Sequence, residues 1–170
     1  MKKIMILNGS PRKNGKTASL VKAFTEGATG SGNEVREFYI DGMDIKSCKG
    51  CDSCMTNGSR CVQRDDDMQK IYECFDWCDV LVLASPMYWG TITGQLKIVV
   101  DRLFATQHKN GPFTGEKKGF VMLMTARGNM YNMTDDFCSI FTGFMGWTDY
   151  GRVYGAGKEA EAEAIGAKIN

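Results

Sequence analysis

The residues from Ile4 to Thr17 begin as a short apolar run and then break abruptly into the polar, glycine-containing stretch Asn8–Gly15. A helix is predicted to follow at once, over 17–28. In a strand-loop-helix unit, the free N–H groups of the loop and of the first helical turn point at one position, where the helix dipole adds positive potential. Hydroxyl and cationic side chains can reinforce this position, and they come from Ser10, Thr17, Arg12 and Lys16. The first loop (residues 8–17) is therefore predicted to bind phosphate.

Two other phosphate-binding signatures fit the first loop poorly. The nucleoside-triphosphate loop requires Gly, four residues and then Gly-Lys-Ser/Thr. The stretch Gly15-Lys16-Thr17 matches the end of that motif, but Ser10 occupies the place of its first glycine. The dinucleotide fingerprint G-x-G-x-x-G fails because Pro11 stands two residues after Gly9. An ordinary basic surface turn is the remaining alternative.

Apolar runs alternate with helical patterns along the chain. The predicted elements are, in order, strand 3–7, helix 17–28, strand 34–40, helix 67–77, strand 80–84, helix 90–104, strand 119–125, helix 134–144, strand 148–154 and helix 159–169. This alternation predicts an α/β fold with a parallel sheet covered on both faces. Five strands suit a flavodoxin-like three-layer α/β/α sandwich with strand order 2-1-3-4-5, in a single domain spanning 1–170.

Charge and hydropathy argue against several classes of protein. The net charge of +1 provides no basic footprint for nucleic acid. No apolar run approaches the roughly 18 residues that suggest a membrane helix, and the run after Lys3 is too short for a signal peptide. Seven cysteines without an export signal favour thiols or metal ligands over disulfides. We therefore expect a cytoplasmic protein with no nucleic-acid or membrane partner.

Two further loops should meet the first at the carboxyl edge of the sheet, where such folds bind ligands. The second loop (residues 85–91) offers backbone amides, a glycine that permits close approach, and the adjacent aromatic residues Tyr88 and Trp89. A flat aromatic ligand with a phosphate tail would span these two loops, and the third loop (residues 125–129) would close over its far side. Core packing or a subunit contact is the alternative for the two aromatic residues.

Four of the seven cysteines form a cluster with the spacing Cys48-x-x-Cys51-x-x-Cys54 followed by Cys61. Such a compact set can wrap one cubane iron–sulfur cluster through four thiolates. Free or redox-active thiols are an alternative. A structural four-thiolate zinc site is another, although zinc sites more often use two separated C-x-x-C knuckles. The remaining cysteines are expected to be ordinary buried residues, namely Cys74, Cys78 and Cys138.

Three motifs in this order resemble the NADPH-dependent FMN reductase family: Asn8-Gly9-Ser10-Pro11-Arg12, Ser85–Gly90 and Leu96-Lys97-x-x-x-Asp101-Arg102. The resemblance covers about residues 1–153. It implies a flavodoxin-like fold, bound FMN and no catalytic side chain. The cofactor-binding residues that it implies in the first loop, around the FMN phosphate, are Ser10, Arg12, Asn14, Gly15, Lys16 and Thr17. Those around the ring and ribityl chain are Pro86, Met87, Tyr88, Trp89, Gly90, Thr125, Arg127 and Gly128.

The cysteine spacing is similar to that of the iron-sulfur flavoprotein branch of this broader family. The resemblance implies an oxidoreductase, assembled as a homodimer or homotetramer, that passes electrons from NAD(P)H through FMN to a small acceptor such as a quinone or flavin. The alternative is an electron-transfer protein with a 4Fe-4S cluster at Cys48, Cys51, Cys54 and Cys61, and with NAD(P)H or ferredoxin as donor. An FMN-binding carrier or sensor without turnover and a zinc-stabilised interaction domain are further alternatives.

Three smaller expectations concern charged and polar residues. Asp101 and Arg102, inside predicted helix 90–104, are expected to form a structural ion pair or subunit contact at least as readily as a catalytic group. The only histidine, His108, is expected at the surface of the polar loop 106–118. The run of aspartates 65–67 is expected to cap the helix that follows it.

Overall fold

Five parallel strands form the sheet in the computed structural model, which describes residues 1–111 and 113–170. The strands are β1 (Lys3–Asn8), β2 (Glu34–Tyr39), β3 (Val80–Pro86), β4 (Gly119–Thr125) and β5 (Thr148–Tyr154). Each neighbouring pair is parallel, and the order across the sheet is β2-β1-β3-β4-β5. The predicted flavodoxin-like order is confirmed. The assignment of 1–170 to a single domain stays a prediction.

Helices cover both faces of this sheet. They are α1 (Lys16–Gly30), α2 (Met68–Trp77), α3 (Gly94–Leu103), α4 (Asn132–Ser139) and α5 (Glu159–Lys168). Alternate residues of β1 enter two separate cores, because successive side chains of a strand point to opposite faces. Ile4 and Ile6 pack with α1 and α5, whereas Met5 and Leu7 pack with α2, α3 and α4. The three-layer sandwich is therefore confirmed.

Two helices differ from their predicted bounds by more than two residues at one end. Helix α3 begins at Gly94 rather than at residue 90, because residues 88–91 close a tight turn instead of a helical one. Helix α4 ends at Ser139, and the chain continues as the π-helical turn Ile140–Phe144. No helix within 1–111 and 113–170 has both the length and the apolar character needed to cross a membrane.

The prediction that His108 lies at the surface is wrong, since the residue is 3% exposed. Its ring centroid lies 4.4 Å from that of Phe104 and 5.3 Å from that of Phe113. Its backbone N–H donates to Ser59 Oγ at 2.6 Å, in the stretch that carries the cysteine cluster. The polarity of loop 106–118 does not reveal this burial, because one covering ring, Phe104, precedes the loop and the other, Phe113, lies within it.

The aspartate run caps α2 through one member. Asp66 Oδ1 accepts from the backbone N–H of Met68 at 3.2 Å, whereas Asp67, at the N-cap position, makes no side-chain cap bond. Asp67 instead accepts from the backbone N–H of Asp44 through Oδ2, at 2.9 Å. Beyond the cluster, the expectation of burial is confirmed for Cys74, Cys78 and Cys138.

Candidate functional site

The backbone at Gly9 joins the first loop to the unit formed by β3, the second loop and α3. Its N–H donates to Ala84 O at the end of β3, and its carbonyl accepts from Thr93 Oγ1, both at 2.8 Å. A Cβ at Gly9 would lie 2.6 Å from Leu96 Cβ, closer than real Cβ contacts allow. Only glycine therefore permits this approach of the first loop to α3.

The third loop is tied to the other two. Thr17 Oγ1, in the first turn of α1, lies 2.9 Å from Thr125 Oγ1 at the end of β4, and both residues are buried. The backbone N–H of Met87 donates to Thr125 O at 2.8 Å. The structure thus brings the three predicted loops together at the carboxyl edge of the sheet.

The first loop is folded by its own polar groups. Asn8 Oδ1 accepts from the N–H of Ser10 at 3.1 Å, and Ser10 Oγ accepts from the N–H of Arg12 at 3.2 Å. The N–H of Gly15 donates to Arg12 O at 3.1 Å. Side-chain bonds of this kind fix a turn without help from the core.

Helix α1 begins at the end of this loop, and its N-terminus has no side-chain cap. Gly15 is the N-cap residue and has no side chain to bond the first-turn amides, and the first turn carries no acidic residue. Arg12, Lys13 and Lys16 are exposed around it. Free amides, the helix dipole and these cations all favour an anion here. The features that led to the predicted anion site are therefore present, and anion binding at this position stays a prediction.

The second loop presents its aromatic residues on a strained turn. Tyr88 and Thr91 exchange two backbone hydrogen bonds, of 2.9 and 3.2 Å, across Trp89 and Gly90. Both central residues have positive φ, +48° at Trp89 and +84° at Gly90, as in the type I′ turns of tight hairpins. Trp89 is fully exposed. Core packing is thus excluded for Trp89. Strained backbone conformations such as the positive φ of Trp89 cluster at ligand-binding sites.

The remaining predicted cofactor residues lie at the rim. Pro86 and Met87 are half-buried, whereas Asn14, Arg127 and Gly128 are exposed. The chain beyond the third loop supports the aromatic turn, because Thr134 Oγ1 donates to Gly90 O at 3.1 Å.

The cysteine segment (residues 46–66) brings its four thiols to one small pocket. Cys48, Cys51, Cys54 and Cys61 all line this pocket, whose volume is about 40 Å³. Burial raises the pKa of the Cys54 thiol, and the charges of the other three cysteines raise it further. All seven cysteines of the chain are free. Among the described residues, no three cysteine, histidine or acidic side chains are close enough to hold a single metal ion.

The expected structural ion pair is present at Arg102, but its partner is distant in sequence. Arg102 Nη1 lies 2.8 Å from Asp66 Oδ2, and both side chains are fully buried. Burial alone would raise the pKa of the Asp66 carboxyl, but hydrogen bonds from Arg102 and from the amides of Lys46 and Met68 hold it below its ordinary value. Asp101 pairs separately with Lys97, one helical turn earlier.

A larger cavity, not predicted from the sequence, lies beside α3 and α4. Its volume is about 560 Å³, and its lining is mainly apolar, with the aromatic residues Phe75, Phe104, Phe113, Phe137, Phe141, Phe144 and Trp147. The cavity reaches the cysteine segment at Cys48 and Gly50 but includes no residue of the three loops. Its lining residues are scattered over the sequence, so no local motif signals it.

The fold and the anion site with its aromatic turn define a flavodoxin-like ligand-binding protein. The chain belongs to the NADPH-dependent FMN reductase family, whose model matches residues 2–161.

Curated relatives agree with this assignment, and a solved structure shares the fold. The chain is 38% identical over 109 residues to an iron-sulfur flavoprotein of Archaeoglobus fulgidus, covering 64% of this chain and 48% of that protein. It is 36% identical over 108 residues to one of Methanocaldococcus jannaschii, covering 64% and 54%. The chain thus spans about half the length of the curated relatives it matches. An NAD(P)H:quinone oxidoreductase from Methanothermobacter marburgensis has the same fold, with a TM-score of 0.78, 16% identity and coverage of 99% and 97%.

Replacing Trp89 by glycine is expected to raise the free energy of unfolding by about 1 kcal/mol, because a positive φ is costly for a residue with a Cβ and the exposed ring packs on little. Urea denaturation of the ligand-free protein measures the change. Gly90→Ala is the reciprocal control and should destabilise, since φ at Gly90 is +84° and a Cβ there is strained. A destabilised Trp89→Gly protein would contradict the strained turn.

Proposed function

We propose that this chain binds FMN at the carboxyl edge of its sheet and acts as a flavin oxidoreductase, passing electrons from NAD(P)H to a small acceptor such as a quinone or free flavin. The observation that carries the proposal is that the uncapped, acid-free first turn of α1 and the loop that presents the exposed Trp89 ring both bond to Thr125, through Thr17 and Met87. A ligand with a phosphate and a flat ring satisfies both features. Membership of the family supports the same choice.

The residues present fit the phosphate end of FMN. Ser10 and Thr17 supply hydroxyls that are nearly buried, and the amides of the first turn of α1 supply donors. Arg12 and Lys16 supply charge from the exposed side, with Asn14 and Gly15 between them. This set neutralises a dianion without any protein carboxylate in the first turn.

The second and third loops fit the ring and ribityl end. Aromatic surface comes from Tyr88 and Trp89, and Gly90 lets a ligand approach the backbone closely. Pro86 and Met87 lead into this turn. Thr125, Arg127 and Gly128, at the third loop, would cover the far side of the ring. FMN, when bound, supplies the redox chemistry, so the protein has only to bind and orient it and to admit a donor and an acceptor. We assign no side chain a catalytic proton transfer. Assembly into a homodimer or homotetramer is part of the proposal.

Substituting Arg12 with alanine is expected to weaken FMN binding about tenfold to a hundredfold, because a charge-assisted phosphate contact contributes about 1.5–3 kcal/mol. Quenching of flavin fluorescence on titration gives the dissociation constant. Lys22→Ala is the control, since this cation lies on the same helix with a side chain 78% exposed. Equal FMN affinity in the Arg12 variant and the wild type would refute the phosphate assignment.

Turnover separates a reductase from a carrier. The FMN-loaded protein is expected to oxidise NADPH or NADH in many cycles when a quinone is added, with the loss of absorbance of the reduced nicotinamide as the measurement. A protein that holds FMN but consumes no more than one nicotinamide per chain is a carrier or sensor. That result would contradict the proposed enzyme while leaving the FMN site intact.

A second candidate is an iron-sulfur flavoprotein in electron transfer, with a 4Fe-4S cluster on Cys48, Cys51, Cys54 and Cys61 and with NAD(P)H or ferredoxin as donor. The specific observation in its favour is that all four cysteines line one pocket. The four irons of a cubane each take one thiolate, so its ligands stand further apart than those of a single ion. The names of the curated relatives support this candidate.

Anaerobic reconstitution with iron and sulfide is expected to add a broad visible absorbance that bleaches on reduction, with about four irons per chain. Cys51→Ser should abolish most of the uptake because it removes one thiolate ligand. Cys74→Ser is the matched control, since this cysteine is buried in α2 and absent from the pocket. Iron uptake that is equal in the two variants, or absent from the wild type, would rule out the cluster at this position.

A further inference from the structure

Arg102 holds both ends of the cysteine segment. Its Nη1 donates to Lys46 O at 2.8 Å and to Asp66 Oδ2 at 2.8 Å, and its Nη2 donates to Gln63 O at 3.1 Å. The residue is 1% exposed. It belongs to α3, which follows all four cysteines of the pocket in the sequence. One side chain therefore closes the segment into a loop against the core.

We call the set of hydrogen bonds by which Arg102 ties the two ends of the cysteine segment together the clamp. The position of Arg102 itself is also fixed. Tyr72 donates from its hydroxyl to Arg102 O at 2.9 Å, which ties α2 to the end of α3. Asp66 also accepts from the backbone N–H of Lys46 at 3.1 Å and from that of Met68 at 3.2 Å. The carboxylate is thus fully used, and removing its cation would leave a buried, uncompensated charge.

One donor of the guanidinium group is left over. Arg102 Nε is buried and finds no hydrogen-bond partner within 1–111 and 113–170. A buried donor without an acceptor is costly, and native proteins rarely retain one. Arg102 lines the small pocket together with Cys48, Cys51, Cys54 and Cys61. An acceptor supplied from this pocket would satisfy the group.

The other charged residues of the pocket do not supply a hydrogen-bond acceptor for Arg102 Nε. Lys49 and Asp52 lie on the exposed part of the segment, and Asp101 faces Lys97. Arg102 is the buried cation that shares the pocket with the thiols. A group that carries negative charge on thiolate sulfur is the matching ligand.

We propose that Arg102 is the positioning residue of the cysteine site: its two Nη atoms lock the ends of the segment, and its Nε–H donates to the sulfur of a thiolate-held anionic group. This inference rests on the second candidate function, in which that group is the 4Fe-4S cluster. Lysine cannot replace the planar fork, because it offers one nitrogen where three act here. The positive charge and the N–H···S bond both favour the more negative, reduced state.

The test compares Arg102→Lys with the wild type and with Lys22→Met, a control cation on α1 whose side chain is 78% exposed and lines neither cavity. Bound FMN reports that each protein is folded. A double variant, Asp66→Leu with Arg102→Met, replaces the whole buried pair by apolar groups and preserves folding if the lysine variant does not fold.

The rate of cleavage by trypsin tests the clamp in protein that carries no cluster. In the metal-free protein, cleavage after Lys49, Arg60 and Arg64 is expected to be about tenfold faster in the Arg102 variants, because the segment opens more often. In the reconstituted protein, iron per chain should fall, and the midpoint potential of any cluster that forms should become more negative. The control should match the wild type in all three readouts.

Cleavage at the wild-type rate in the folded Arg102 variants would overturn the clamp. Full iron content with an unchanged potential in these variants would overturn the Nε–H donor. A wild type that takes up no iron would remove the second candidate function and the donor with it, whereas the cleavage rates of the metal-free proteins would still decide the clamp. Loss of iron with faster cleavage and retained FMN is the result that supports the proposal.

Discussion

The close contact at Gly9 is the constraint on which the site depends. The glycine backbone bonds to Ala84 O and Thr93 Oγ1, and the lack of a Cβ lets the chain lie against Leu96. These contacts fix the start of α1 relative to the strand that leads into the Trp89 turn. An anion site and an aromatic surface are therefore held at a set spacing by rigid elements, which is what orientation of a phosphate-bearing ring requires.

A second device holds the cysteine segment, and it works by the same electrostatics. The first loop presents the amides of the first turn of α1 to the proposed phosphate, and the segment is closed by a buried guanidinium whose Nε–H has no hydrogen-bond partner within residues 1–111 and 113–170. The two devices lie on different elements, α1 and α3. The α1 device should thus hold FMN even when the cysteines carry nothing, as required if the flavin is the centre of the chemistry.

Much of the fold is predictable from the sequence because the three central strands, β1, β3 and β4, are continuous apolar runs that alternate with helical patterns. Strands 119–125 and 148–154 were placed with the bounds that the structure shows. The three loops were found because parallel strands bring their carboxyl ends to one edge. The late start of α3, the burial of His108 and the Asp66–Arg102 pair were not predictable, since each depends on a turn conformation or on contacts between distant residues. Direct contact of the predicted residues with FMN stays a prediction.

Comparison of FMN with riboflavin tests the central claim most directly, because the two differ only in the phosphate. If the N-terminus of α1 and its cations bind that phosphate, FMN should bind roughly 100-fold more tightly than riboflavin, equivalent to about 2.7 kcal/mol, and the difference should shrink as salt is added. Calorimetric or fluorescence titration of the ligand-free protein with each flavin provides the two dissociation constants. Equal affinities at low salt would contradict the phosphate-binding role of the first loop.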